Sequence, residues 1–308
     1  MNMKKILVAV DFSDESQVAV EQGLAIARQQ GAELTLLYVG VAADQPVGIP
    51  TDAHDATTEY MRIVEEFVAG ERRQLDEHVA RISGQGVKVS SAMLDGVPAR
   101  RIPVAATDLS ADLVITGTHG RTGIKRVFLG SVAERIVRHC TTDVLVARPR
   151  AKERGLERIL VATDFSDISE HALETAVALA SPGAVIDVLH CWYLAPLSYP
   201  YYAPTRSAAE LAVSLRDSIA GDAARRGAKL IARHQNAGCT LHFHNTEATP
   251  VQGIQDWLDE HEYDLVVTGS HGRRGASRFL LGSVAELTVR HAPCSVLVAH
   301  APPAVKSQ

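Results

Sequence analysis

The chain repeats itself, and that repetition limits what it can fold into. Lys4-Lys5-Ile6-Leu7-Val8-Ala9-Val10-Asp11-Phe12-Ser13-Asp14 returns as Glu157-Arg158-Ile159-Leu160-Val161-Ala162-Thr163-Asp164-Phe165-Ser166-Asp167. Gly117-Thr118-His119-Gly120, nine residues and Gly130-Ser131 return as Gly269-Ser270-His271-Gly272, nine residues and Gly282-Ser283. Gly31-Ala32 returns at Gly183-Ala184, and Pro98 at Pro250. A period near half of the 308 residues indicates a duplicated domain, because solenoid repeats are far shorter. The seam is the charged, Pro- and Gly-bearing segment 148–155.

Within one copy the hydrophobic pattern alternates between strand-like and helix-like stretches. Residues 6–10 form a short apolar run, as in a strand buried on both faces. Ser13 or Asp14 can cap a helix over 17–30, with Val18, Leu24 and Ala25 on its core-facing stripe and Gly31 closing it. A second strand at 34–39 is followed by a polar stretch, 42–57, and a helix over 58–81. Residues 87–94 predict the third strand, and Pro98 suits the first turn of the next helix. A fourth strand over 113–116, the glycine stretch, a helix over 132–139 and a strand over 144–147 complete the copy. Strands alternating with helices predict a parallel sheet covered on both faces. Ligands of such sheets bind beyond the carboxyl ends of the strands, where the strand order switches. Asp11 and the Gly117 loop, and likewise Asp164 and the Gly269 loop, fall on that rim.

A glycine loop leading from a strand into a helix suits phosphate, because backbone N–H groups and a helix N-terminus converge there. The alternative reading is a sharp turn; two copies with identical spacing after a strand favour the phosphate loop. It is not a Walker loop, since no Gly-x4-Gly-Lys-Ser/Thr occurs. Ser131-Val132-Ala133-Glu134 and Ser283-Val284-Ala285-Glu286 read as capping boxes, a role compatible with offering N–H and hydroxyl groups to a phosphate. Arg121, Lys125 and Arg126, with Arg273, Arg274 and Arg278, form either a solvated face or a neutralising cluster for a polyphosphate. Asp11 and Asp164 read either as helix N-terminal acids or as contacts to a ribose hydroxyl, an adenine amine or a metal ion. His119 and His271 recur inside the loops, where they shape the loop or touch the ligand.

These residues together resemble the universal stress protein family in its tandem, ATP-binding form. The resemblance covers nearly the whole chain and implies two flavodoxin-like domains (adenine nucleotide α-hydrolase-like), 1–150 and 156–303. Each would be a five-stranded parallel sheet with helices on both faces. It implies that Gly117, Gly120, Gly130 and Ser131 line the phosphates, with Asp11 by the adenosine and Val39 near adenine. In the second copy Gly269, Gly272, Gly282, Ser283 and Asp164 match. Cys191 stands at the Val39 position and Ala248 at that of Gly96, so the second copy departs on its adenine side and, if the turn needs positive φ, in its turn. The family further implies ATP, with Mg2+ as a companion, last strands that pair within the chain as a pseudo-dimer, and a homodimer. A role as a nucleotide-dependent sensor read by a regulatory protein partner follows. The other class is a slow ATPase or phosphoryl-transfer enzyme, for which no base or nucleophile aimed at a γ-phosphate is legible.

Composition sets the remaining expectations. A formal net charge of -5 gives no support to a general nucleic-acid binder. No apolar window reaches the length of a membrane span and no secretory leader pattern is legible, which points away from a membrane partner. Cys140, Cys191, Cys239 and Cys294 have no C-x-x-C spacing, as expected of reduced thiols in a cytoplasmic protein. His242 and His244 share one face of a strand, but no three- or four-ligand metal spacing appears in the sequence. The Tyr- and Pro-rich stretch 193–207 has no aromatic counterpart in the first copy and reads as a surface loop or a lid.

Overall fold

The computed structural model describes residues 3–40, 54–120, 129–149, 155–194, 206–234, 238–272 and 281–300. The chain divides into two compact units, Asn2–Pro149 and Arg150–Ala304. The first runs β1 (Lys5–Val10), α1 (Asp14–Gln30), β2 (Glu33–Gly40), α2 (His54–Ile82), β3 (Val89–Asp95), α3 (Pro98–Asp108), β4 (Leu113–Gly117), α4 (Ser131–His139) and β5 (Asp143–Ala147). The second repeats the order as β6 (Arg158–Ala162), α5 (Asp167–Leu179), β7 (Val185–Trp192), α6 (Arg206–Ala232), β8 (Thr240–Glu247), α7 (Pro250–Glu260), β9 (Leu265–Gly269), α8 (Ser283–His291) and β10 (Ser295–Ala299). The alternating order predicted from the hydrophobic pattern is therefore the observed one. The second helix starts earlier than its apolar periodicity suggested, and the third strand starts later, at Val89.

In the first unit the strands lie in the order β3-β2-β1-β4-β5, all parallel. In the second the order is β8-β7-β6-β9-β10, again all parallel. The apolar strands β1 and β4 are central, β4 buried at every position and β1 at every position but its first, and β5 at one end of the order is buried throughout. The half-exposed strands β3 and β8 are outermost. Right-handed crossovers place α1 and α2 on one face and α3 and α4 on the other. Arg81 of α2 accordingly donates to Gln17 of α1 (3.2 Å), while α3 packs on α4.

Local signals close the elements as the sequence indicates. Ser13 caps α1 by accepting from the Ser16 N–H, and Gly31 ends it at φ 64°. Pro98 and Pro250 occupy the first turns of α3 and α7. Gly96 takes φ 125°, which Ala248 does not share, so the second copy does have a different turn there. Both turns nonetheless tie back to the preceding strand, Gly96 N–H to Gly40 O (3.0 Å) and Ala248 N–H to Trp192 O (2.9 Å).

One carboxylate per copy joins the central strands at their amino ends. Asp112, just before β4, accepts from the Lys4 and Lys5 N–H groups at 2.7 and 3.0 Å. Asp264, buried before β9, accepts from Glu157 and Arg158 N–H at 3.0 and 2.9 Å. Asp264→Ala strands two backbone donors and should lower unfolding stability by about 2 kcal/mol in urea titrations; an unchanged midpoint would show that the clamp is dispensable.

Candidate functional site

The rim is built first by a turn that strains the backbone. After β1, Asp11 Oδ1 accepts from Ser13 N–H (3.1 Å) and Ser13 Oγ (2.5 Å), and Phe12 between them sits at φ 64°. After β6, Asp164 Oδ1 accepts from Ser166 N–H (3.0 Å) and Ser166 Oγ (2.5 Å), with Phe165 at φ 61°. A left-handed non-glycine residue costs about 1–3 kcal/mol and persists only when its surroundings hold it. The rings do that holding. Phe12 stacks on Tyr38 (4.9 Å) and leans on His78 (5.3 Å). Phe165 packs on His190 (4.5 Å) beneath the Arg226 guanidinium (4.3 Å). The strain was not legible in the sequence; its only trace was the Asp-Phe-Ser-Asp run, identical in both copies.

The glycine loop then closes on this turn. A methyl group on Gly120 would overlap Asp11 Oδ2, and one on Gly272 would stand 3.2 Å from Asp164 Oδ2. Gly117 lies so close to the first turn of α1 that a Cβ would be 2.8 Å from Glu15 O. The Gly130 N–H donates to Thr118 O (2.8 Å), as Gly282 N–H does to Ser270 O (2.8 Å), stapling the loop ends. Those two N–H groups are therefore engaged by the protein. The glycines serve close approach as much as ligand contact.

The capping boxes read from the sequence are not formed. Ser131 and Ser283 are the first residues of α4 and α8, and the N-caps are Gly130 and Gly282, with no side-chain cap hydrogen bond. The serines follow the cap because the loop staple fixes the glycines in the extended conformation that begins the helix. The first-turn N–H groups of a helix have no intrahelical partner and carry the positive end of its dipole. Here they face a cavity, not a capping side chain.

That cavity opens at the carboxyl ends of the strands in each copy. The first, about 210 Å³, brings together Asp11, Val39, Gly117, His119, Gly120, Gly130 and Ser131. The second, about 500 Å³, brings together Asp164, Cys191, Gly269, His271, Gly272, Gly282 and Ser283. Arg121 and Arg273, with Lys125, Arg126, Arg274 and Arg278, lie outside the described residues, as does 195–205 of the Tyr-rich stretch. Sequence reasoning missed the apolar wall facing the rim, Pro98 and Ile102 of α3 and Pro250 and Ile254 of α7. The i, i+4 spacing from each first-turn proline was the available signal.

Two features bear on what the cavities can hold. His119 Nε2 and His271 Nε2 are buried and have no hydrogen-bond partner among the described residues. Buried polar atoms are nearly always paired, so an unpaired one inside a cavity wall suits a polar ligand. The other imidazole nitrogen of His271 is already engaged by Ser270 Oγ (3.0 Å). At the Val39 position of the second copy, burial and the nearby Asp256 charge push the Cys191 thiol up to about 12, so it packs as a neutral apolar group.

The universal stress protein family profile matches residues 2–148 and, a second time, residues 155–300. A universal stress protein of Methanocaldococcus jannaschii is 35% identical over 151 residues, covering 49% of this chain and 85% of the relative. One from Synechocystis is 29% identical over 153 residues, covering 48% of this chain and 99% of its own. Among solved structures, a universal stress protein from Archaeoglobus fulgidus aligns over 96% of both chains with a TM-score of 0.64. At 21% identity that likeness speaks for the fold. With the same parallel sheet, the same rim and two separate profile matches, the chain belongs to the universal stress protein family and carries its domain in tandem.

Proposed function

We propose that each copy binds an adenine nucleotide, ATP, and that the protein acts as a nucleotide-dependent regulator in stress response. One observation carries this reading. Twice in the chain, a rim aspartate, an uncapped helix N-terminus and a loop histidine line one cavity at the strand-order switch, and the buried Nε2 of that histidine has no hydrogen-bond partner among the described residues. The phosphates belong at the N-termini of α4 and α8, where dipole and N–H groups favour negative charge. The base belongs against the apolar side, Val39 with Ile102 in the first copy and Cys191 with Ile254 in the second. Asp11 and Asp164 would accept from a ribose hydroxyl, on carboxylates oriented by the Ser13 and Ser166 hydrogen bonds to Oδ1. Mg2+ would supply charge neutralisation for the phosphates.

Regulation would work through order: nucleotide across the crevice ties the Asp-Phe-Ser turn to the helix N-terminus, and a partner protein reads the tied state. The family's dimeric habit makes a homodimer the natural assembly to test beside it.

Calorimetry with ATP, ADP and AMP tests the proposal. Gly120→Val drives a side chain into Asp11 and should remove binding in the first copy; adding Gly272→Val should abolish it altogether. Wild-type protein that binds none of the three nucleotides overturns the reading. Asp11→Ala, which removes the acceptor but leaves the loop glycines, should weaken first-copy affinity roughly tenfold, the worth of one hydrogen bond to a charged group. Cys191 reports the second copy. With its thiol pushed up to about 12, alkylation by iodoacetamide is slow at neutral pH and accelerates as the pH rises and the thiolate fraction grows. ATP should slow Cys191 alkylation further and leave Cys239, just before β8 at the other end of the sheet, unaffected. Equal protection of both thiols would argue against a ligand in this cavity.

A further inference from the structure

The amino-terminal corner of the second unit holds a cluster that the nucleotide site does not use. Asp187 in β7 lies directly opposite His242 in β8, and His244 follows on the same face. Asp187 Oδ1 is 2.8 Å from His244 Nε2 and 3.5 Å from His242 Nδ1. One donor atom from each of the three lies within 4.8 Å of the others. The second carboxylate oxygen is held from behind: Tyr263 OH donates to Oδ2 (2.9 Å) and itself accepts from Trp257 Nε1 (2.5 Å). The Arg158 guanidinium stands 3.9 Å from the same oxygen, and the Trp257 ring packs on His244 at 4.8 Å.

The first copy is a built-in control. At the same register, Thr35 faces Ser90 and Leu37 faces Ala92, and Thr35 and Ser90 share a plain hydroxyl–hydroxyl hydrogen bond of 3.1 Å. Ala105 of α3 occupies the place that Trp257 has in α7. The fold therefore closes this corner with small neutral side chains. Placing a carboxylate there with only 9% of its side chain exposed is costly and is not a packing requirement.

We propose that Asp187, His242 and His244 form a binding site for a divalent transition-metal ion of the Zn2+ type. Two imidazoles and one carboxylate are the donor set such an ion prefers, whereas Mg2+ and Ca2+ seek all-oxygen shells. Tetrahedral zinc with bonds of about 2.0–2.1 Å separates its ligand atoms by about 3.3 Å. The observed carboxylate–imidazole distances of 2.8 and 3.5 Å bracket that spacing, and the imidazole–imidazole pair, within 4.8 Å, closes toward it as the ion enters. The imidazoles are 53% and 33% exposed, which leaves the solvent side open for water as a fourth ligand. Tyr263 and Arg158 act on the oxygen that faces away from the imidazoles and fix the carboxylate's orientation, as outer-shell partners do.

The test uses full-length, tag-free protein stripped with chelator. It is titrated with Zn2+ by calorimetry in excess Mg2+, and with Co2+ by visible absorption. One ion per chain should bind at this site, with Zn2+ displacing the cobalt band and Mg2+ failing to do so. His242→Ala and His244→Ala should each remove that step, while Tyr263→Phe should weaken it about tenfold. The pair Gly120→Val and Gly272→Val should leave it intact, so loss of the nucleotide site and loss of the metal site are read separately. Because His242 is half exposed on an outermost strand, His242→Gln serves as a folded variant, checked by an unchanged thermal melt. A wild type that binds neither Zn2+ nor Co2+, or binding that the histidine variants leave unchanged, overturns the proposal and leaves the cluster a hydrogen-bonded brace between β7 and β8.

Discussion

The side-by-side carboxyl ends of β1 and β4, and of β6 and β9, are the constraint on which each unit depends. The strand order reverses there, so the connections leaving the two strands run in opposite directions and open a crevice between them. The partner strands are locked in register by backbone pairing, Ile6 with Leu113 and Ile159 with Leu265. At the far end the Asp112 and Asp264 carboxylates cross-link the same strands. With both ends held, the turn after β1 and the loop after β4 have little room, and every residue of the site follows from that crowding. Phe12 and Phe165 take a left-handed backbone, and Gly120 and Gly272 approach the aspartates where a side chain would intrude.

Crowding also explains why the caps differ from their sequence signature. A serine followed three residues later by glutamate satisfies the capping-box pattern, but the hydrogen bonds from Gly130 and Gly282 to the far side of the loop set the helix start one residue earlier. Local preference yields to a tertiary contact, and the helix N-terminus is left facing the cavity. Backbone N–H groups of the helix start and a rim carboxylate thereby share one cavity, the arrangement on which the proposed nucleotide site rests.

The two copies show which parts of this frame can drift. The rim is the same in both, down to the distances that orient Asp11 and Asp164. The wall is not: Val39 gives way to Cys191, and the cavity volumes differ, about 210 against 500 Å³. At the opposite end of the sheet the divergence is chemical, with Thr35 and Ser90 in one copy and Asp187 and His242 in the other. A buried parallel sheet tolerates either pair so long as each polar group finds a partner, so new chemistry can be added there without touching the rim.

Much of this was legible in the residues. The repeat, the order of strands and helices, the Ser13 and Gly31 helix ends and the first-turn prolines are all encoded locally, and Asp11 falls on the rim of the Gly117 loop once those elements imply a parallel sheet. Apolar runs, caps and turn residues act within a few positions of themselves, and the duplication states each of them twice. The strain at Phe12, the N-cap role of Gly130 and the apolar wall from α3 were decided only by packing between distant segments. The Asp187 cluster is the clearest case. His242 and His244 announce a shared strand face in the sequence, but their carboxylate lies 57 positions from His244, on a neighbouring strand. Which strand that is depends on sheet order and register, and those are set by how whole elements pack together.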